Sequence, residues 1–204
     1  MKRTLGDTLL IATHNLGKLE EFRAVLDPLG VTCKSNVDFD LPEPAETETT
    51  FVGNARIKAQ AAVAATGLPA LADDSGLEVA ALDGAPGVYT ADWAETPGGR
   101  DFGLAMRRTK RELDDRGAPQ PWTARFCATL VLRWPDGFEK VFEGYANGTL
   151  VWPIRGATGH GYDPMFQPNG ERRTFAEMSL AEKVRLSHRT AALSELRAWL
   201  DAGE

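Results

Sequence analysis

Two adjacent carboxylates, Asp73 and Asp74, follow the short apolar run Ala70-Leu71-Ala72 and lead directly into Ser75-Gly76. Neighbouring side chains on an extended chain point to opposite faces, so one aspartate can face a ligand while the other supports the backbone. A carboxylate acting together with phosphate oxygens is how proteins commonly hold magnesium. The same four residues could equally form a polar turn. Glu46 and Glu48, in an acidic stretch upstream, are candidate second carboxylates or ordinary solvated side chains.

Thr13-His14-Asn15-Leu16-Gly17-Lys18 joins an apolar run to an amphipathic one. If a helix starts there, its free backbone N–H groups attract anions. The hydroxyl, amide and ammonium groups beside them could hold a triphosphate. The alternative is that Asn15 only caps the helix and Lys18 is solvated. The G-x-x-x-x-G-K-[ST] loop of P-loop nucleotide hydrolases is absent.

A third segment, Gly156-Ala157-Thr158-Gly159-His160-Gly161-Tyr162-Asp163-Pro164, combines glycines with two rings. Glycine lets backbone approach a ligand closely, and His160 and Tyr162 could stack on a base. A surface loop around a buried tyrosine fits the same letters, and the dinucleotide-binding fingerprint does not. Lys183, His188 and Arg189 complete the candidates. The chain's three histidines, His14, His160 and His188, each fall in one of these segments.

These segments need elements to position them. Thr8–Thr13 reads as a buried strand and Asn15 as a helix cap. Leu19, Phe22, Leu26 and Leu29 recur at helical spacing until Gly30. Val31–Phe39 is a candidate second strand. Residues 41–50, acidic and proline-containing, read as a loop. Phe51–Thr66 is alanine-rich and helical, closed by Gly67. Ala70–Ala72 is a short strand that Asp73–Gly76 interrupts, and Leu77–Leu82 is strand or turn. Phe102–Leu113 is a helix. Thr123–Trp134 and Phe138–Glu143 form a hairpin about Pro135-Asp136-Gly137, and Asn147-Gly148 reads as a turn. Ser179-Leu180-Ala181-Glu182 is a capping box. Leu193, Leu196 and Leu200 mark a terminal helix. Early alternation of strands and helices with a late hairpin predicts an α/β fold with a mixed sheet.

The 204 residues suit one domain, or two small lobes sharing a core. A formal net charge of −6 leaves no positive excess for binding nucleic acid through phosphates. No run approaches the roughly 20 apolar residues of a membrane helix, and the polar N-terminus does not read as a secretory signal. Cys33 and Cys127 lie far apart, with no metal-ligand spacing. They read as buried small hydrophobes of a reduced, cytoplasmic protein.

Taken in order, Thr13-x-x-x-x-Lys18 around Asn15, Ala72-Asp73-Asp74-Ser75-Gly76-Leu77, Gly84-Ala85-Pro86-Gly87-Val88-Tyr89, Gly161-Tyr162-Asp163-Pro164-x-Phe166 and Ser187-His188-Arg189 resemble the inosine/xanthosine triphosphate pyrophosphatase family from about Leu9 to Leu200. The resemblance implies a single nucleoside triphosphate pyrophosphatase domain over residues 1–204. Its expected fold is an elongated mixed central sheet with flanking helices and two lobes around a nucleotide-binding cleft. The implied reaction is hydrolysis of deaminated purine triphosphates (ITP, dITP, XTP) to monophosphate and pyrophosphate by a cytoplasmic, magnesium-dependent homodimer, with neither nucleic acid nor membrane as partner.

The resemblance also implies roles. Thr13, His14, Asn15, Leu16, Gly17 and Lys18 bind the triphosphate. Glu46 and Asp74 hold magnesium, and Asp74 is the base that activates water. Ser75 contacts substrate, and His160, Gly161, Tyr162, Asp163, Lys183, His188 and Arg189 surround base and sugar. Two positions depart from the family. His160 stands where relatives often carry Phe, and Thr90-Ala91-Asp92 stands where Ser-Ala-Arg is common, which removes a basic residue. Competing readings are a pyrophosphatase for other modified or pyrimidine triphosphates and a non-catalytic nucleotide sensor or RNA-binding module. Retention of Asp74 and Lys18 and the acidic charge speak against the latter.

Overall fold

A computed structural model describes residues 5–203. The strands are β1 (Thr8–Ile11), β2 (Thr32–Ser35), β3 (Ala70–Val79), β4 (Pro86–Gly87), β5 (Glu95–Thr96), β6 (Gly99–Arg100), β7 (Trp122–Arg133), β8 (Glu139–Leu150) and β9 (Phe166–Pro168). The helices are α1 (Leu16–Leu26), α2 (Phe51–Thr66), α3 (Phe102–Asp115), α4 (Leu180–Leu186) and α5 (His188–Ala202), with short 3₁₀ turns between elements. The main sheet runs β2-β1-β3-β7-β8-β9, with β4 on β3. It is mixed: β1 pairs in parallel with β2 and β3, while β4 on β3 and β9 on β8 are antiparallel. A two-residue ladder joins β5 to β6.

The chain forms two compact units. Among the described residues, one comprises 5–74, Ala128–Gly144 and 192–203; the other comprises Ser75–Cys127 and Tyr145–Ala191. In the first unit both sheet faces are covered, which is why its strands read as continuous apolar runs. Alternation sends Leu9 and Ile11 of β1, Leu71 of β3, and Leu130 and Leu132 of β7 to one face. There they meet Leu19, Phe22 and Leu26 of α1 and Ala192, Leu193 and Leu196 of α5. Leu10, Ala12, Ala70, Ala72 and Val131 go to the other face, against Ala55, Ala59 and Ala62 of α2. Small alanines on α2 let that helix lie close to the sheet.

The second unit has its own core. Leu77 and Val79 of β3, Phe126 of β7, Ala105, Met106 and Leu113 of α3, and Tyr162, Phe166 and Phe175 from the later loops are buried together. Phe126, Phe166 and Phe175 pack ring on ring, with centroids 4.7 to 6.0 Å apart. Cys33 and Cys127 are free and buried, and burial pushes their thiols up to about 11 and about 12.

Three expectations change. Asp73–Gly76 does not interrupt a strand: β3 runs unbroken for ten residues, because both buried carboxylates have lysine partners (below). Asn147-Gly148 is not a turn, since β8 extends to Leu150 and Gly148 registers against Pro168 of β9. The second strand is shorter than expected. It ends at Ser35, where a capping box between Ser35 and Asp38 starts a 3₁₀ turn.

Phe22 is fully buried between α1 and the sheet. Phe22→Ala is expected to destabilise the chain by about 3–5 kcal/mol through the cavity it leaves. Equilibrium denaturation in urea measures this, and a loss below about 1 kcal/mol would contradict the placement of that ring.

Candidate functional site

The sequence-predicted residues fall into two groups, one in each compact unit. In the first unit, β1 ends at Ile11 and the chain turns into α1. Asn15 caps the helix, its Oδ1 accepting the Lys18 N–H at 3.1 Å, and its own N–H donates to Thr13 Oγ1 at 3.1 Å. Thr13 is buried, whereas His14, Asn15, Leu16 and Gly17 are exposed. The first turn of a helix has N–H groups without intrahelical partners, so the segment retains the character of an anion site. His14 Nε2 lies 2.7 Å from the Leu41 carbonyl. Lys18 turns inward, with its Nζ 3.0 Å from Asp73 Oδ1 and 2.9 Å from Oδ2.

Strand alternation separates the two aspartates as expected. Asp73 meets Lys18, and Asp74 meets α2. Lys58 Nζ of α2 reaches Asp74 Oδ1 at 3.4 Å and Glu46 Oε1 at 2.9 Å. Asn54 Nδ2, one turn earlier, reaches Asp74 Oδ2 at 3.4 Å. The cluster thus gathers Lys18, Glu46, Asp73 and Asp74, which the sequence reading singled out, with Asn54 and Lys58, which it missed.

Their spacing is the only hint that the sequence carried. Asn54 and Lys58 stand at i and i+4, each just before an alanine of the buried stripe Ala55, Ala59 and Ala62. A lysine 7% exposed needs a charged partner.

The electrostatics follow from burial and crowding. Asp74 is pushed up to about 6, first by burial and then by the charges of Glu46 and Asp73, against the lowering pull of Lys58 and Lys18. For Lys58, burial works downward, but Asp74, Asp73 and Glu46 outweigh it and the net shift is upward. Two lysines face three carboxylates here, an excess of one negative charge when all are ionised. Among the described residues no three His, Cys, Asp or Glu side chains are grouped to hold a metal. Magnesium is commonly held by one or two carboxylates plus substrate phosphates. The crowded pair Glu46 and Asp74 fits that arrangement.

The second unit holds Ser75, half-buried on β3, and the other predicted residues. Asp163 is buried. Its Oδ2 accepts the His160 N–H at 2.7 Å and the Lys183 Nζ at 2.5 Å. That carboxylate folds the glycine-rich loop. Gly159 has φ +82° and a side chain there would collide with Asp163, so only glycine fits. His160 remains exposed, Gly161 is half-buried, and Lys183 sits 5.7 Å from the centre of the Phe175 ring.

Tyr162 is a correction. Its ring is fully buried and packs edge-on against Phe102, with centroids 6.1 Å apart. A ring held there is core and does not stack on a base. Burial also pushes its hydroxyl up to about 12. His188 opens α5 with its ring stacked on Phe126, centroids 5.1 Å apart and planes at 17°. Arg189 follows it, half-buried. The preceding Ser187 caps this turn, accepting the Thr190 N–H at 3.1 Å.

Known proteins are similar to this chain in sequence and in fold. A dITP/XTP pyrophosphatase of Ruegeria pomeroyi is 63% identical over 190 residues, 93% of each chain. One from Mesorhizobium japonicum is 54% identical, over 93% of this chain and 91% of its own. Among solved structures, a HAM1 protein from Coxiella burnetii superposes with a TM-score of 0.89 at 34% identity, covering 96% of this chain and 98% of that one. A nucleoside-triphosphatase / dITP/XTP pyrophosphatase from Mycobacterium abscessus gives 0.76 at 39% identity, covering 93% and 98%. Residues 9–199 match the Ham1 family, and the chain belongs to it.

Proposed function

We propose that this protein is a magnesium-dependent pyrophosphatase for deaminated purine nucleoside triphosphates, releasing monophosphate and intact pyrophosphate. The observation that carries the reading is Asp74: a carboxylate buried at the junction of β3's apolar half, crowded by Glu46 and Asp73, and countered by Lys58. Relatives up to 63% identical and named dITP/XTP pyrophosphatase support the substrate class.

The chain's own residues divide the work. The α1 N-terminus and Lys18 take the triphosphate, placing positive charge where negative charge accumulates as pyrophosphate leaves. Glu46 and Asp74 are the residues that would hold magnesium, which when bound neutralises phosphate charge and makes a coordinated water more acidic. Asp74, held near 6, is largely ionised at neutral pH and accepts a proton as water attacks phosphorus. One water is consumed and one phosphoanhydride bond breaks. Lys58 keeps the two carboxylates together before substrate arrives.

Base selection is assigned to the candidates around Gly161 and His188. Hypoxanthine and xanthine present a keto oxygen where adenine presents an amino group. A donor from Arg189, His188 or a loop N–H pairs with the former and meets a second donor in the latter, a mismatch worth up to about 10⁴-fold. Stacking on Phe126 fixes how the His188 imidazole is presented. His160, exposed beside Gly161, supplies a ring face for the base. We further propose a cytoplasmic homodimer, on family resemblance. Among the described residues no helix is long and apolar enough to cross a membrane. Light scattering at micromolar concentration tests the dimer, and a monomer there would refute it.

Asp74→Asn is expected to lower kcat by about 10²–10⁴ with magnesium saturating, and chromatography of the wild-type reaction on ITP should show IMP and pyrophosphate. Near-normal turnover by the variant would remove Asp74 from its role. Early accumulation of IDP and orthophosphate would overturn the reaction assigned.

His160→Ala is expected to raise KM about 5- to 150-fold, the value of one base–aromatic stack, while His160→Phe stays near wild type. A severe kcat loss in His160→Phe at unchanged KM would instead make His160 an acid or phosphate ligand.

A further inference from the structure

The loop from Leu41 to Thr50 carries Glu46, and its course is set by few contacts. At one end the Leu41 N–H donates to the Asn36 carbonyl at 3.0 Å, and the Leu41 carbonyl faces His14 Nε2 at 2.7 Å. At the other end the Glu48 N–H donates to Asn54 Oδ1 at 2.9 Å. There the loop presses on α2 so closely that a side chain at Gly53 would overlap Glu48. Lys58 holds Glu46 from the side at 2.9 Å.

Between Leu41 and Glu46 lie Pro42 and Pro44. Each fixes its own φ and restricts the residue before it, so the segment behaves as a short stiff rod. A displacement at Leu41 is therefore passed on to Glu46 instead of being absorbed in between. Packing does not oppose such a displacement on one side: a partly open pocket of about 150 Å³ borders the segment, lined by Leu41, Pro42, Pro44, Ala61, Ala62 and Ala65. Among the described residues, the His14 bond is the one hydrogen bond that joins this rod to the Thr13–Lys18 segment.

We propose that the His14 side chain is a positioning residue, latching the Glu46 loop to the triphosphate segment and leaving phosphate contact to its neighbours. A carbonyl partner requires the proton on Nε2. In the neutral ring Nδ1 then carries a lone pair, which offers nothing to a phosphate oxygen. The latch links the two halves of the anion–metal site: where residue 14 sits decides where Glu46 sits. The consequence for magnesium rests on the function proposed above; the latch itself does not.

Hydrogen exchange of the unliganded protein tests the latch directly, in wild type, His14→Ala and His14→Gln. The His14→Ala variant is expected to exchange the two hydrogen-bonded amides of the loop, Leu41 on Asn36 and Glu48 on Asn54, about 3- to 10-fold faster, the worth of one hydrogen bond, with the buried amides of β7 unchanged. Gln offers an N–H at similar reach and is expected to restore the slower rate. Unchanged exchange in His14→Ala, or no restoration by Gln, overturns the latch. Kinetics on ITP add a second arm. The latch expects the magnesium concentration for half-maximal rate to rise in His14→Ala while KM at saturating magnesium stays put. A rise in KM at every magnesium concentration would make His14 a phosphate ligand and refute the proposal. If wild-type turnover proves independent of magnesium, the metal assignment fails, and the exchange result alone decides the latch.

Discussion

Two neighbouring aspartates are buried in the middle of β3, 3% and 7% exposed, and the rest of the first unit is arranged around that cost. An uncompensated buried carboxylate is expensive, and removing the partner of a buried pair typically costs about 3–5 kcal/mol. A strand sends consecutive side chains to opposite faces, so one cation cannot serve both. Lys18 from α1 answers Asp73 on one side, and Lys58 from α2 answers Asp74 on the other. Helices on both faces of the strand are therefore a requirement of the site as well as of the core. The continuity of β3 depends on the same pairing.

The compensation is less complete at Asp74. Asp73 takes a bidentate approach from Lys18. Asp74 has Lys58 only at 3.4 Å and shares it with Glu46. Burial and two neighbouring carboxylates leave Asp74 at about 6, where a carboxylate is ionised at neutral pH yet basic enough to take a proton. The two adjacent residues, identical in type, thus differ in electrostatic setting through their partners.

Local signals made most of the fold legible. Asn15, Ser179 and Gly67 mark helix ends that the structure keeps, because caps act over three or four residues and need no tertiary knowledge. The continuity of β3 and the extension of β8 past Asn147-Gly148 were not legible, since both depend on partners distant in sequence: two lysines in one case, β9 in the other. The site was legible in its carboxylates and in Lys18, where motif and chemistry coincide. Lys58 escaped notice because a lysine in an alanine-rich helix reads as a solvated face until the helix is known to lie on the sheet. For Tyr162 the sequence left a base-stacking ring and a buried one both open. A tyrosine beside glycines suggests an open ring, and nothing local reports that Phe102 and the core of the second unit enclose it.

The same contrast between local and distant constraint explains how Glu46 is placed. Its loop is too acidic and proline-rich to form a helix or strand, so it cannot derive its position from regular hydrogen bonding. Proline converts that weakness into stiffness: a segment with few internal bonds but fixed dihedrals needs anchors only at its ends. Those ends attach to Asn54 of α2 and to His14 at the start of α1. These two helices also supply Lys58 and Lys18. The metal-candidate carboxylate is consequently referenced to the elements that neutralise Asp74 and Asp73, and a shift of either helix moves cation and carboxylate together. Relative spacing within the charged cluster is thereby held more tightly than the position of any one of its members.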